Sequence, residues 1–484
     1  MFPDNKADIP FCERIFCNRS LNMKSIKAVG FDMDYTLALY KPETFEKLAY
    51  DETIKKLIEI GYPKEICSWE FDPKYMIRGL VIDKKNGNIL KMDRHRYVKV
   101  AYHGFKELNR EERRKLYDIE NVIVYEEPHY ALIDTLFSLA EAFLFIQLVE
   151  FKDKTDKMNH KSYFDLYSDV RMCIDLCHRD GSIKDKVYDN PSKYISNNKN
   201  LVSILKDLKA SGRKIFIVTN SLWDYTNIVM SYLCNTKKDS NQEWISLFDL
   251  IITGSQKPSF FMTKNQIYEV DTKTNYLKNT DIVNILNKDK QESIVYQGGH
   301  FKLLHNMLGI KTGSEILYIG DHIYGDILRS KKEIGWRTML VIEELEKEII
   351  ATYELKEQYI LCDSLNEKRV LLENEFERLD IQSREKGATH TLDKNENLDK
   401  KIKKVGYDLL KLREQEKKEI RNYHLGLHPI WGELMKTGRQ NSRFAAQVEN
   451  YACLYTSKLT NLIHYGPHKN FRAVRDFMPH DLDE

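Results

Sequence analysis

Five short apolar runs punctuate the chain: IKAVGF (26–31), RKIFIV (213–218), DLIIT (249–253), EILYIG (315–320) and RTMLVI (337–342). The first four each lead into a polar turn. Unbroken apolar runs of this length predict strands buried on both faces. Helical patterns precede several of them. In NLVSILKDLKASG (200–212), Val202, Leu205 and Leu208 form one stripe and Gly212 is a stop signal. FKLLHNMLGIK (301–311) repeats the arrangement before the fourth run. Strands alternating with helices predict an α/β fold with a parallel sheet covered on both faces. Ligands of such sheets bind beyond the carboxyl ends of the strands. The residues at those ends are Asp32, Asn220 and Asp321.

The stretch between the first two runs is far too long for one crossover, so residues 46–189 read as an inserted domain. Within it, GLVIDKKNGNILKMD (79–93) has the hairpin signal Asn86-Gly87. ALIDTLFSLAEAFLFIQLVEF (131–151) contains Asp134 and Glu141, which predicts a buried helix and not a membrane span. A further helix is expected near 162–180. The core is then discontinuous, 1–45 with 190–345. Residues 346–484 form a C-terminal helical region, packed on the core or at a subunit interface. Residues 345–420 are rich in Glu, Lys and Leu and lack proline, and Leu398, Ile402, Val405, Leu409 and Leu412 follow heptad spacing. This predicts a helical hairpin with its turn at 383–397.

Composition narrows the picture. Lys+Arg at 75 against Asp+Glu at 73 leaves almost no net charge, which argues against a general nucleic-acid binder. The eight cysteines form no C-x-x-C pair and no zinc spacing. Scattered thiols, with no signal pattern in MFPDNKADIPF, point to a reducing, cytoplasmic setting and no membrane partner.

FDMDYTLALY (31–40) carries the candidate chemistry. Two aspartates side by side after a buried strand are costly unless positive charge sits with them. Attack on a phosphate ester needs a nucleophile, an acid for the leaving oxygen, and cations for the phosphoryl oxygens. Asp32 and Asp34 fit that need, with a magnesium ion, if three further elements exist. Each occurs near a strand end. IFIVTNS (215–221) supplies Thr219, Asn220 and Ser221 as phosphate donors; TGSQKPSFF (253–261) supplies Lys257; YIGDHIYGD (318–326) supplies Asp321 and Asp326. A lone D-x-D is weak, but four matched elements in one order are strong.

This order and spelling resemble the haloacid-dehalogenase-type phosphotransferases, whose first motif is D-x-D-x-T, here DMDYT. The resemblance implies a Rossmann-like core with a large inserted cap. It implies that Asp32 is the nucleophile and a Mg²⁺ ligand, and that Asp34 is the acid/base and binds metal through its backbone carbonyl. Asp321 would ligate the metal directly and Asp326 through water, and Lys257 would serve the phosphate. More closely, DMDYTL, VTNS, QKP and GDHIYGDILRSKK are similar to the cytosolic purine 5′-nucleotidases. That likeness extends to TLF (135–137), DVRMCIDLCHRDGSIK (169–184) and AAQVENYACLY (445–455). It implies an enzyme, and a homo-oligomer, dimer or tetramer. It also implies an activating nucleotide site near Tyr324, Lys332, Gln447 and Tyr451. Asn450 stands where the family commonly has arginine and Asp134 where it commonly has asparagine, and both changes should weaken phosphate binding there.

Arg171, Asp175 and His178 fall on one face of a helix. Alone they read as an exposed salt-bridged stripe. By the resemblance, Arg171 and Asp175 face the base, Phe137 stacks on it, and His178 and Lys184 line the pocket. A 6-oxopurine offers an N1–H donor and an O6 acceptor, which suit a carboxylate and a guanidinium. Adenine reverses that edge, so IMP and GMP should be preferred to AMP. Transfer of the phosphate to a nucleoside, hydrolysis of another small phosphate ester, and a degenerate scaffold are the alternatives. The intact carboxylates and lysine argue against the scaffold.

Overall fold

A computed structural model describes residues 9–117, 128–236, 242–280, 294–388 and 396–476. The five expected apolar runs are strands: Ala28–Phe31, Lys214–Val218, Leu250–Thr253, Ile316–Gly320 and Arg337–Val341. They lie in a ten-stranded sheet. Its central order runs Leu454–Thr456, Arg337–Val341, Ile316–Gly320, Ala28–Phe31, Lys214–Val218, Leu250–Thr253, Val295–Gly298. All neighbours in that series pair in parallel. The edges add antiparallel strands, Phe16–Cys17 on one side and Ile267–Val270 with Leu277–Asn279 on the other. This is the parallel α/β core expected from the alternating strand and helix patterns.

The strands are apolar throughout because both faces are covered. Phe216, Val218, Ile252 and Tyr318 pack with Leu304 and Trp336 in one buried cluster. Gly30 lies in the first strand because a Cβ there would sit 2.2 Å from the Phe216 ring.

The inserted region has its own sheet, five antiparallel strands in the order Lys106–Glu107, Val98–His103, Asn88–Met92, Val81–Asp83, Tyr130–Leu132. The expected hairpin pairs Val81–Asp83 with Asn88–Met92, and Gly87 takes φ +68° in its turn. The apolar run 131–151 is not helical from its start: Tyr130–Leu132 is a strand, and the helix covers Ser138–Lys154. A second helix, Tyr163–Arg179, starts from a capping box between Ser162 and Asp165. No helix among the described residues is long and apolar enough to cross a membrane.

The chain divides into two compact units, residues 346–440 and all the rest. The smaller contains the long helices Lys356–Ala388 and Glu396–Leu427. Arg369 links them through Glu416 at 2.7 Å. Leu398, Ile402, Val405, Leu409 and Leu412 are all partly or fully buried. Of the expected turn, residues 389–395 lie outside the described residues. The helical region expected over 346–484 differs from what is seen at its end. Residues 441–476 belong to the larger unit, where Leu454–Thr456 joins the core sheet. A three-residue strand gives too short an alternation to be read from sequence.

Candidate active site

The strand Ala28–Phe31 delivers Asp32 to the carboxyl edge of the sheet, between the strands that end in Val218 and Gly320. The chain then folds back tightly. The Met33 carbonyl accepts from the amides of Thr36, Leu37 and Ala38, and Tyr35 takes φ +52°, in the left-handed region. A bulky residue there is strained, and such outliers concentrate at functional sites. The turn separates the two aspartates. Asp32 Oδ1 lies 2.8 Å from Lys257 Nζ. Asp34 instead accepts from Tyr40 at 2.6 Å on one oxygen and from Ser221 at 2.7 Å on the other.

Lys257 is buried and central. Its ammonium donates to Asp326 Oδ1 at 2.6 Å and to the Tyr318 hydroxyl at 3.0 Å. Asn220 holds its backbone, accepting the Lys257 amide at 2.6 Å and donating to its carbonyl at 3.0 Å. Asp326 Oδ2 accepts the His322 amide at 3.2 Å. Asp321 is fixed through its main chain: Arg78 donates to its carbonyl at 2.8 Å while pairing with Glu344.

Charge is not balanced in this cluster. Asp32, Asp321 and Asp326 can bring one carboxylate oxygen each within 4.8 Å of one another, and all three residues are buried. One ammonium faces them. Burial, with Asp326 as a like charge, pushes Asp32 up to about 6 despite Lys257. Burial and then Asp32 push Asp34 to about 6. Burial, Asp326 and Asp32 raise Asp321 well above the ordinary carboxylate range. Burial alone would depress Lys257, but Asp32 and Asp326 outweigh it and keep it charged. Asp321 Oδ2 is buried with no hydrogen-bond partner. Clustered, desolvated carboxylates with an orphan oxygen fit a hard divalent cation, which takes oxygen ligands.

A cavity of about 610 Å³ opens on these groups. That volume is in the range of small-molecule sites. Asp32, Asp34, Asn220, Ser221, Lys257, Asp321 and Asp326 line it, and so do Phe137, Arg171, Asp175, His178 and Lys184. The residues expected for the chemistry, the phosphate, the metal and the base therefore line one cavity, except Thr219. Thr219 is fully buried and its hydroxyl accepts the Ser221 amide at 3.1 Å. It shapes the turn that presents Ser221 and is buried behind the residues that line the cavity.

A family model for the 5′ nucleotidase family matches residues 15–483. The chain belongs to this family. It is thus a hydrolase of the 5′ nucleotidase type. A 5′-nucleotidase domain-containing protein of Dictyostelium discoideum is 28% identical over 476 residues, 97% of this chain and 75% of the relative. A solved structure of a "predicted phosphoglycolate phosphatase" from Haemophilus somnus is similar at 14% identity and a TM-score of 0.28, over 66% of this chain and 85% of that one. A likeness that distant carries no argument about substrate.

Some residues of the site went unread in the sequence. Tyr40 and Tyr225 stand behind Asp34, with their hydroxyls 3.0 Å apart. Arg78 supports Asp321 from the inserted region. Glu141 lines the cavity beside Arg171. Of these, Glu141 had a signal: an acid inside an apolar helix needs a partner. Asp134, which the resemblance placed near an effector site, is paired in the fold with Arg443 at 2.6 Å.

Proposed function

We propose that this chain is a magnesium-dependent 5′-nucleotidase that hydrolyses purine nucleoside 5′-monophosphates, IMP and GMP before AMP. The reading rests chiefly on one observation. The carboxylate–lysine cluster and the Phe137, Arg171, Asp175, His178 and Lys184 group line the same cavity. Phosphate chemistry and base recognition would thus meet in one enclosed space.

In this reading Asp32 attacks phosphorus and forms an aspartyl phosphate. Asp34 gives its proton to the departing 5′ oxygen. It then takes a proton from the water that attacks phosphorus, and Asp32 is released with inorganic phosphate. Two features support Asp34 in that part. Burial holds its carboxyl near 6, inside the range useful to a general acid at neutral pH. Tyr40 and Ser221 fix both its oxygens. Lys257 bridges Asp32 and Asp326 and would offset charge on the phosphoryl group. Asp32, Asp321 and the Asp34 carbonyl would hold Mg²⁺, with Asp326 behind them, and the ion would neutralise phosphoryl charge. Arg171 and Asp175 would face the base edge, with Phe137 against its plane. Its ring already sits edge-on to His178 at 5.6 Å. The cysteines, none in a disulfide among the described residues, support a reducing setting such as the cytoplasm.

The test is phosphate release from IMP, GMP, AMP and CMP, with and without Mg²⁺, by the wild type and Asp32→Asn. The expected result is Mg²⁺-dependent release, fastest from IMP and GMP and abolished by the substitution. Equal turnover of AMP and IMP would sink the base assignment. Release from none of the four would sink the nucleotide reading.

A further inference from the structure

The Arg171–Asp175 pair does not stand alone. Arg171 Nε and Nη2 reach the two oxygens of Asp175 at 3.2 and 3.0 Å, one helical turn away. Its Nη1 donates to Glu141 Oε2 at 2.9 Å, on the neighbouring helix Ser138–Lys154. Arg171 is half-exposed to the cavity, whereas the Glu141 side chain is 2% exposed. Tyr167, one turn before Arg171, lies near the same Glu141 carboxylate, and burial together with that carboxylate holds its hydroxyl above the ordinary tyrosine range.

This geometry has a consequence for recognition. An exposed i,i+4 Arg–Asp pair on one helix is weak and loose. Contact with a second helix, through a buried carboxylate, fixes the plane of the guanidinium. A fixed plane presents its remaining N–H groups and the Asp175 oxygens in one order. Base discrimination needs such an order, because a mobile fork can adapt to either purine edge. The three groups also carry two negative charges and one positive. What separates the purines is order: a 6-oxopurine puts an acceptor at position 6 and a donor at N1, adenine the reverse, and a 2-amino-6-oxopurine brings a second donor that the surplus carboxylate oxygens can accept.

We infer that Glu141 is a positioning residue for base selection: it locks Arg171 across two helices and so sets the preference for a 6-oxopurine. The inference rests on the nucleotide reading above and deepens it.

The experiment measures kcat and KM for IMP, AMP and ribose 5-phosphate, which lacks a base. It uses the full chain with Mg²⁺, as wild type, Glu141→Ala and Glu141→Gln. For Glu141→Ala the KM for IMP should rise about tenfold with kcat nearly retained. The IMP-to-ribose 5-phosphate ratio of kcat/KM should fall by the same factor, and the IMP-to-AMP ratio should shrink. Glu141→Gln keeps an acceptor oxygen for Nη1 and should recover most of the loss. Partial unfolding lowers every substrate together and leaves the ratios alone, so a uniform loss would overturn the inference. Wild-type ratios in Glu141→Ala would also overturn it, while the base pocket stood. A wild type that does not distinguish IMP from ribose 5-phosphate would overturn the nucleotide reading itself, and this inference with it, before any variant is compared.

Discussion

Asp32 and Asp34 are separated by one residue and meet different surroundings. Asp32 faces a cation, Lys257, at 2.8 Å; Asp34 faces two hydroxyls. Burial lifts both carboxyls to about 6; beside Asp32 the Lys257 ammonium opposes that lift, while at Asp34 two neutral hydroxyls hold the oxygens in place. The same logic of burial applies to His178. Burial pushes its imidazole down to about 4, below the ordinary value of about 6.5. Between those values the unfolded chain binds a proton that the folded chain refuses. Stability from this group is therefore fully present above about pH 6.5 and is lost as pH falls toward 4. The full swing is at most about 3 kcal/mol, because His178 borders the cavity and water there screens its charge. Urea unfolding at pH 7 and pH 5 checks this. The wild type should lose more stability between the two than His178→Phe does. Equal losses would mean that His178 takes up a proton freely in the folded state.

Elements, more than residues, explain what was legible in advance. Strands of a parallel sheet are covered on both faces, so Ile215–Val218 and Leu250–Ile252 appear as unbroken apolar runs. The reacting groups follow such strands directly, which made Asp32, Lys257 and Asp321 readable by position. Partners brought from other elements leave no local trace. Nothing beside Arg78 in the sequence points to Asp321, and nothing beside Tyr40 points to its bond with Asp34. For Thr219, the position in the turn is visible in sequence, whereas the bond of its hydroxyl to the Ser221 amide is not. The strand Ile316–Gly320 illustrates how an element is shaped by its site. A Cβ on Gly320 would lie 2.5 to 2.7 Å from the Asp326 side chain. Asp326 cannot yield freely, since Lys257 and the His322 amide hold its two oxygens. Gly320→Ala should therefore displace the carboxylate and cut Mg²⁺-dependent phosphate release by about a hundredfold. Overpacking should cost about 1–3 kcal/mol, read from the shift in the unfolding midpoint. Full activity in this variant would show that Asp326 can move without consequence.

At the scale of the larger unit, distant segments close one structure. Residues 441–476 return after the helical unit to place Leu454–Thr456 beside Arg337–Val341 and Ser442 beside Asp93 of the inserted region. The same return brings Arg443 to Asp134, 309 positions earlier, in a pair with both side chains under a tenth exposed. A buried pair of this kind adds little over an apolar replacement, but breaking it strands a charge in low dielectric. Asp134→Ala should thus destabilise the unit by about 3–5 kcal/mol in denaturant unfolding. Asp134→Ala combined with Arg443→Met removes both charges and should recover much of that loss. The comparison separates two accounts of the contact. If the double variant is as unstable as the single one, the contribution lies in packing around Arg443 and not in its charge. If the single variant is as stable as wild type, water reaches Arg443 and the C-terminal return is held by its other contacts, the strand among them.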